Sequence, residues 1–209
     1  MSRLFVLIPL VLTACLPDVG DPNYPERPIF VDPDDDFLDG ATPWTGQPRL
    51  SIGAYYEGGA TETVLVDNAT THLYVYDSTF DSEPTDERVE GTVADKLVAS
   101  GVGWIGGGVH WDVPRDLTEW THLNLSLFSE DAGLGNFTIG MNGGGVENSV
   151  SVSDYGFATD GEWHSLSIPL EDIGVDLSSV SVALIMLADL VEDGEELIID
   201  DVYFSQEDE

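Results

Sequence analysis

From residue 49 onward, apolar and polar residues alternate over short runs, and glycine, proline and aspartate punctuate them. Residues 61–67 (TETVLVD) and 71–77 (THLYVYD) alternate or run apolar over strand lengths, parted by Asn68, Ala69 and Thr70. Residues 121–128 place Leu123, Leu125 and Leu127 on one face and His122, Asn124, Ser126 and Phe128 on the other. Phe137, Ile139 and Met141 alternate with Thr138, Gly140 and Asn142, and Val146, Val150 and Val152 continue the pattern. Successive side chains leave a pleated strand on opposite sides, so a period of two predicts antiparallel strands with one dry and one wetter face. Residues 96–112 are rich in glycine, as expected where strands curve or approach other backbone closely. Residues 116–118 and 176–179 read as short turns rather than helices. Three apolar runs broken by Pro169, Gly174 and Gly194 close the chain, and the last carries the acidic pair Asp200 and Asp201. Short strands joined by such turns predict an all-β domain over residues 49–209, built as a β-sandwich.

The first 48 residues follow a different rule. One basic residue, Arg3, precedes an almost wholly apolar run at 4–13. That run is too short for a spanning helix, which needs about 20 residues, and it suits the centre of a signal peptide. Leu12-Thr13-Ala14-Cys15 then resembles the bacterial lipobox. The resemblance implies removal of residues 1–14, acylation of Cys15 with palmitate-like chains, and a lipid-anchored protein. The alternative is an ordinary signal peptide with an incidental cysteine. Leu16, where aspartate would favour retention in the inner membrane, implies the bacterial outer membrane. Residues 15–48 hold seven of the eleven prolines and the acidic run Asp34-Asp35-Asp36, a composition that predicts an extended, disordered acidic tether. Its alternating aspartates do not make an EF-hand, because Phe37 stands where the loop requires glycine.

Charge removes whole classes of function. Forty acidic residues against six basic ones give a formal charge of −34, a field that repels nucleic acids and anionic lipid. A single cysteine forms no disulfide within the chain. The four histidines lie on separate runs, and neither a His-Glu-x-x-His nor a Gly-x-Ser-x-Gly motif occurs. Among forty acids, the paired carboxylates of a glycosidase would arise by chance, so they carry no weight. Nothing in the residues points to an enzyme.

The order of residues has a further resemblance. Arg88-Val89-Glu90-Gly91, then Trp104-Ile105-Gly106-Gly107-Gly108, then residues 114–121 (PRDLTEWT) before a Leu-x-Leu-x-Leu strand, resemble the galactose-binding-like jelly rolls. Gly161-Glu162-Trp163-His164, Ile168-Pro169-Leu170 and Ile199-Asp200-Asp201-Val202 extend the likeness, which spans roughly residues 62–204. It implies a jelly-roll β-sandwich similar to the non-catalytic carbohydrate-binding modules of glycoside hydrolases. It also implies a structural calcium joining an acid near the first strands, Asp67 or alternatively Asp77, to Asp200 on the last. Asp200 shares parity with Val202 and Phe204, so it is expected to point inward, with Asp201 outward. A buried charge there needs a cation or, alternatively, hydrogen bonds from turn amides.

Sugar binding calls for flat aromatic faces and planar polar groups. Trp104, Trp111 and Tyr155 are candidate stacking residues, with His122, Asn124 and Asn142 as a polar row beside them. Trp120 and Trp163 are expected to pack as core or edge plugs, as in that fold. Trp104 and Trp111 differ in parity, so only one of them can join a given face unless a bulge intervenes. The expected function is non-catalytic binding of a polysaccharide. The alternative is a structural or adhesive envelope lipoprotein that contacts protein partners. The oligomeric state is open.

Overall fold

The computed structural model describes residues 49–55, 71–91 and 93–206, which form two antiparallel sheets. The expected signal peptide, Cys15, the tether, the strand at 61–67 and Asp67 all lie outside the described residues. No helix among the described residues is long and apolar enough to cross a membrane.

The first sheet is centred on β11 (Glu196–Ser205). The first half of β11 pairs with β4 (Ala94–Ala99) and its last residues with β1 (Arg49–Ser51). Its other edge pairs with β6 (His122–Phe128). Beyond these lie β3 (Phe80–Thr85), next to β4, and β9 (His164–Pro169), next to β6. The second sheet runs in the order β2 (Thr71–Val75), β5 (Gly103–Arg115), β10 (Val180–Val191), β7 (Thr138–Gly143) and β8 (Val146–Ser151).

The period-two pattern buries most of what it predicted, although Val146 on the edge strand β8 and Leu73 and Val75 on the edge strand β2 stay exposed. Leu123, Leu125 and Leu127 of β6 and Leu197, Ile199, Val202 and Phe204 of β11 line one wall of the core. Ile105, Val109 and Trp111 of β5, Ile139 and Met141 of β7, and Leu184 and Met186 of β10 line the other. Trp111 meets Phe204 edge-on across the core at 6.5 Å between ring centroids. Each large side chain buried here contributes about 1.5–3 kcal/mol, which is how two sheets hold together without a disulfide. This is the jelly-roll β-sandwich expected from the sequence. The single α-helix among the described residues is one turn, α1 (Leu170–Ile173), ended by Gly174 at φ +69°.

One expectation about the closing strand is overturned. Between Asp200 and Tyr203 the pairing with β6 slips by a residue, and Asp201 takes φ +57°. Such a bulge resets the alternation. Ile199 and Val202, three residues apart, are therefore both in the core, while Asp200 and Asp201 are each buried, at 2% and 3% exposure. Asp200 does not share the inward face of Val202 and Phe204, and Asp201 does not reach solvent.

Arg49 answers part of this buried charge. Its Nη1 lies 3.1 Å from the Glu90 carboxylate and 3.3 Å from that of Asp201, and its guanidinium stacks on Tyr203 at 4.2 Å from the ring centroid. Burial pushes the Asp201 carboxyl well above the ordinary carboxylate range, with Arg49 opposing and Glu90 and Asp200 adding to the rise. In the window between the ordinary value and the raised one, the native state holds a proton that the unfolded chain has released. Stability therefore falls as pH rises through that window. Denaturant unfolding measured across it is expected to show a shallower decline for Asp201→Asn than for the wild type; an unchanged slope would exclude this assignment.

Candidate functional site

The outward face of the second sheet is set by β5. Ile105, Val109 and Trp111 point into the core, so Trp104, Gly106, Gly108, His110 and Asp112 face out. On the neighbouring edge strand β2, His72 pairs in register with His110 and Tyr74 with Gly108. Five rings then form a continuous row along this edge. Trp104 lies 6.3 Å from Tyr76, Tyr76 lies 5.1 Å from Tyr74, and Tyr74 lies 6.1 Å from His110. His110 stacks on His72 at 5.0 Å. Tyr76 is 41% exposed, a large aromatic surface left open to solvent.

Missing side chains let the rings lie down. A Cβ at Gly106 would collide with Trp104 Cζ3 and approach Leu187 Cδ2 to 3.0 Å. A Cβ at Gly108 would meet the Leu184 carbonyl and come within 2.8 Å of the Tyr74 hydroxyl. Trp104 and Tyr74 thus occupy space above the sheet that any other residue would fill. Tyr76 is brought beside Trp104 by a tight turn in which Asp77 and Ser78 both have positive φ and the Thr79 amide donates to the Tyr76 carbonyl at 2.9 Å. Thr79, fully buried, then ties the turn to β5: its Oγ1 donates to the Gly106 carbonyl at 3.1 Å and accepts from the Gly106 amide at 3.0 Å.

Beyond the rings and the β10 residues Ile185 and Leu187, which stand opposite Gly108 and Gly106, strands β7 and β8 add polar groups to the face. Thr138 and Asn142 of β7 face out opposite Ser151 and Glu147 of β8, and Ser181 Oγ donates to Asn142 Oδ1 at 3.5 Å. At one end of the row, His72 Nε2 lies 3.0 Å from Asp112 Oδ2; at the other, Asp189 stands opposite Trp104. Burial, a hydrogen bond with Tyr76 and the charge of Glu147 push the Tyr74 phenol well above its ordinary value, so it stays a neutral hydroxyl.

The six residues named from sequence do not converge. Trp104 and Asn142 share this face. Trp111 is a core residue, 2% exposed, whose Nε1 donates to the Ile52 carbonyl at 3.1 Å. His122 and Asn124 sit on β6, in the other sheet, so the expected polar row with Asn142 does not form. Asn124 is buried and donates to Ser205 Oγ at 2.8 Å. Tyr155 packs against the core and donates to Asp172 Oδ2 at 2.8 Å, and burial with that bond pushes its phenol up to about 12. Asp200 accepts from the amides of Val89 at 2.8 Å, Glu90 at 3.2 Å and Asp201 at 2.7 Å. Among the described residues no three His, Cys, Asp or Glu side chains cluster as metal ligands. His72, Tyr74, Tyr76 and His110 escape the sequence reading. The signal is present in THLYVY, where His72, Tyr74 and Tyr76 share one parity, but nothing local says that this parity faces out.

Residues 45–206 match the family described as "Carbohydrate binding domain 30". The chain belongs to that family. Solved structures similar to this family 30 domain include the family 30 carbohydrate-binding module of the cellulosomal cellulase Cel9D-Cel44B of Clostridium thermocellum. It is 21% identical, with 66% of this chain and 87% of that one covered and a TM-score of 0.49. The family 11 module of Lic26A-Cel5E from the same organism is 13% identical, covering 66% and 88%, with a TM-score of 0.45. The extra C-terminal domain of an exo-1,3/1,4-β-glucanase from a Pseudoalteromonas species is 14% identical, covering 67% and 87%, with a TM-score of 0.48. No curated protein matches the chain.

The two glycines of the platform should respond differently to alanine. Only side chains oppose a Cβ at Gly106, so Gly106→Ala is expected to keep the fold while Trp104 lifts, read as a change in tryptophan fluorescence at unchanged far-UV dichroism. A backbone carbonyl opposes Gly108, so Gly108→Ala is expected to cost about 1–3 kcal/mol or more in denaturant unfolding.

Proposed function

We propose that this family 30 domain binds a flat, β-linked glucan chain across the outward face of the second sheet and does not cleave it. One observation carries the reading: two large rings, Trp104 and Tyr74, held over a glycine floor in a row that faces solvent. A pyranose with equatorial substituents presents an apolar C–H face that a flat ring covers, while its edge hydroxyls need donors and acceptors. Asn142, Ser181, Glu147 and the Tyr74 hydroxyl supply those on the same face. Binding without cleavage needs no general acid. The titratable group pushed furthest on this face, Tyr74, is shifted away from the range useful for proton transfer near neutral pH.

Truncating a central aromatic anchor typically costs more than 1 kcal/mol of binding. Trp104→Ala and Tyr74→Ala are therefore each expected to weaken binding of a soluble β-glucan roughly tenfold or more in calorimetric titration. Tyr155→Phe is expected to leave it unchanged. Equal binding by all three variants and the wild type would overturn the site.

The cation role reserved for calcium is proposed to fall to the protein itself. Three amides fill most of the acceptor positions of Asp200, and Arg49 faces Glu90 and Asp201. Chelator is expected to leave the melting temperature unchanged. Arg49→Met is expected to cost about 3–5 kcal/mol, because it removes the guanidinium that faces the buried Glu90 carboxylate. A chelator-induced drop in melting temperature would restore calcium.

Display on the bacterial outer membrane through acylated Cys15, with residues 15–48 as spacer, belongs to the same proposal and rests on the sequence of residues outside the described ones. Mass spectrometry of protein from the native membrane is expected to find Cys15 as the first residue, carrying fatty acyl chains. An unmodified mature N-terminus would refute it.

A further inference from the structure

We infer, resting on the binding reading above, that the aromatic face selects its ligand by charge, accepting uncharged glucan chains and rejecting chains that carry carboxylates. Charge is then the property that decides among polysaccharides of similar shape.

Acids surround the row of rings. Asp112 lies past His110 at one end, Asp189 stands opposite Trp104 at the other, and Glu147 faces out on β8 across the sheet.

Among the described residues, no lysine or arginine offsets them on this face. After Arg49 the chain carries only Arg88, Lys96 and Arg115 as Lys or Arg residues, and each is engaged elsewhere. Arg88 donates to the carbonyls of Gly91 and Asp86, at 2.7 and 3.1 Å. Lys96, on the first sheet, sits between Glu83 at 2.7 Å and Glu196 at 3.2 Å. Arg115 lies over the inward-facing Trp111 ring, 5.1 Å from its centroid. Arg49 is buried against Glu90 and Asp201. The strongest recognition of a carboxylate comes from a guanidinium or ammonium within hydrogen-bond reach, and none of these four supplies one on this face. This face offers acceptors, hydroxyls and the stacked pair His72 and His110, of which His72 already meets Asp112. A carboxylate held about 4 Å from one rim acid in water loses about fivefold in affinity before screening.

The test uses three soluble derivatives of one β-1,4-glucan backbone, which differ only in substituent: hydroxyethyl (neutral), carboxymethyl (anionic) and quaternary ammonium (cationic). Affinities are measured by titration calorimetry in about 0.01 M and 1 M salt, where the screening length falls from about 30 Å to about 3 Å. At low salt the anionic chain is expected to bind at least about tenfold more weakly than the neutral one, and the cationic chain more tightly. At high salt the three converge. Glu147→Gln with Asp189→Asn is expected to narrow the low-salt gap several-fold, whereas Glu130→Gln, in the loop after β6 of the other sheet, leaves it in place. Equal binding of anionic and neutral chains at low salt would overturn charge selection while leaving glucan binding standing. A gap that both sets of variants narrow alike would overturn it too, by assigning the effect to the whole chain's field. Failure of all three polymers to bind would overturn the platform reading, and charge selection with it.

Discussion

The strict alternation of β5 is the constraint on which the rest of this domain depends. One strand must put Ile105, Val109 and Trp111 into the core and leave Trp104, Gly106, Gly108 and His110 on the opposite face. A slip of one residue would bury the platform and expose the core, so packing of the inner set fixes the outer set. β5 holds this register because it is a central strand, paired with β2 on one side and β10 on the other. The proposed binding surface is in this sense the back of the hydrophobic core.

The closing strand solves a different problem. β11 lies between β6 and the pair β4 and β1, so its backbone has no edge to offer solvent, yet it carries two adjacent aspartates. The bulge at Asp201 lets both leave the core, and they are then covered from outside by the turn at Val89 and Glu90. Backbone amides satisfy Asp200, and Arg49 draws Glu90 and Asp201 together. One of the few cations in a chain of charge −34 is spent inside the protein, where lower effective dielectric makes it count most. Among the described residues, the same scarcity leaves the aromatic face without a lysine or arginine. The buried ion pairs and the charge of the aromatic face are two results of one composition.

Local residue order makes much of this readable. Leu123, Leu125 and Leu127, and Phe137, Ile139 and Met141, announce their strands and their buried faces, because alternation in a strand is a local property. Glycine at 106–108 announces a close approach, which the flat rings of Trp104 and Tyr74 then use. Local order misleads where the answer depends on partners far along the chain. His122 and Asn124 have the right chemistry for a polar row, but β6 hydrogen-bonds to β11 and not to β7, which places them on the other sheet. Parity puts Asp200 on the inward face because a bulge leaves no mark in the residue order, and Leu197 to Phe204 reads as one uninterrupted strand.

The sequence by itself determined the class of fold, the buried faces of β6 and β7, the strong acidity of the chain, and the glycines that allow a close approach. Each follows from composition or from the two-residue period, and none needs knowledge of which strand neighbours which. The tertiary structure alone decided that Tyr74 and Tyr76 join Trp104, that Trp111 lies in the core, and that Arg49 meets Glu90 and Asp201 across the chain. Those pairings bring together residues tens of positions apart, and they are fixed by which strands pair and by how the two sheets pack, which no local pattern encodes.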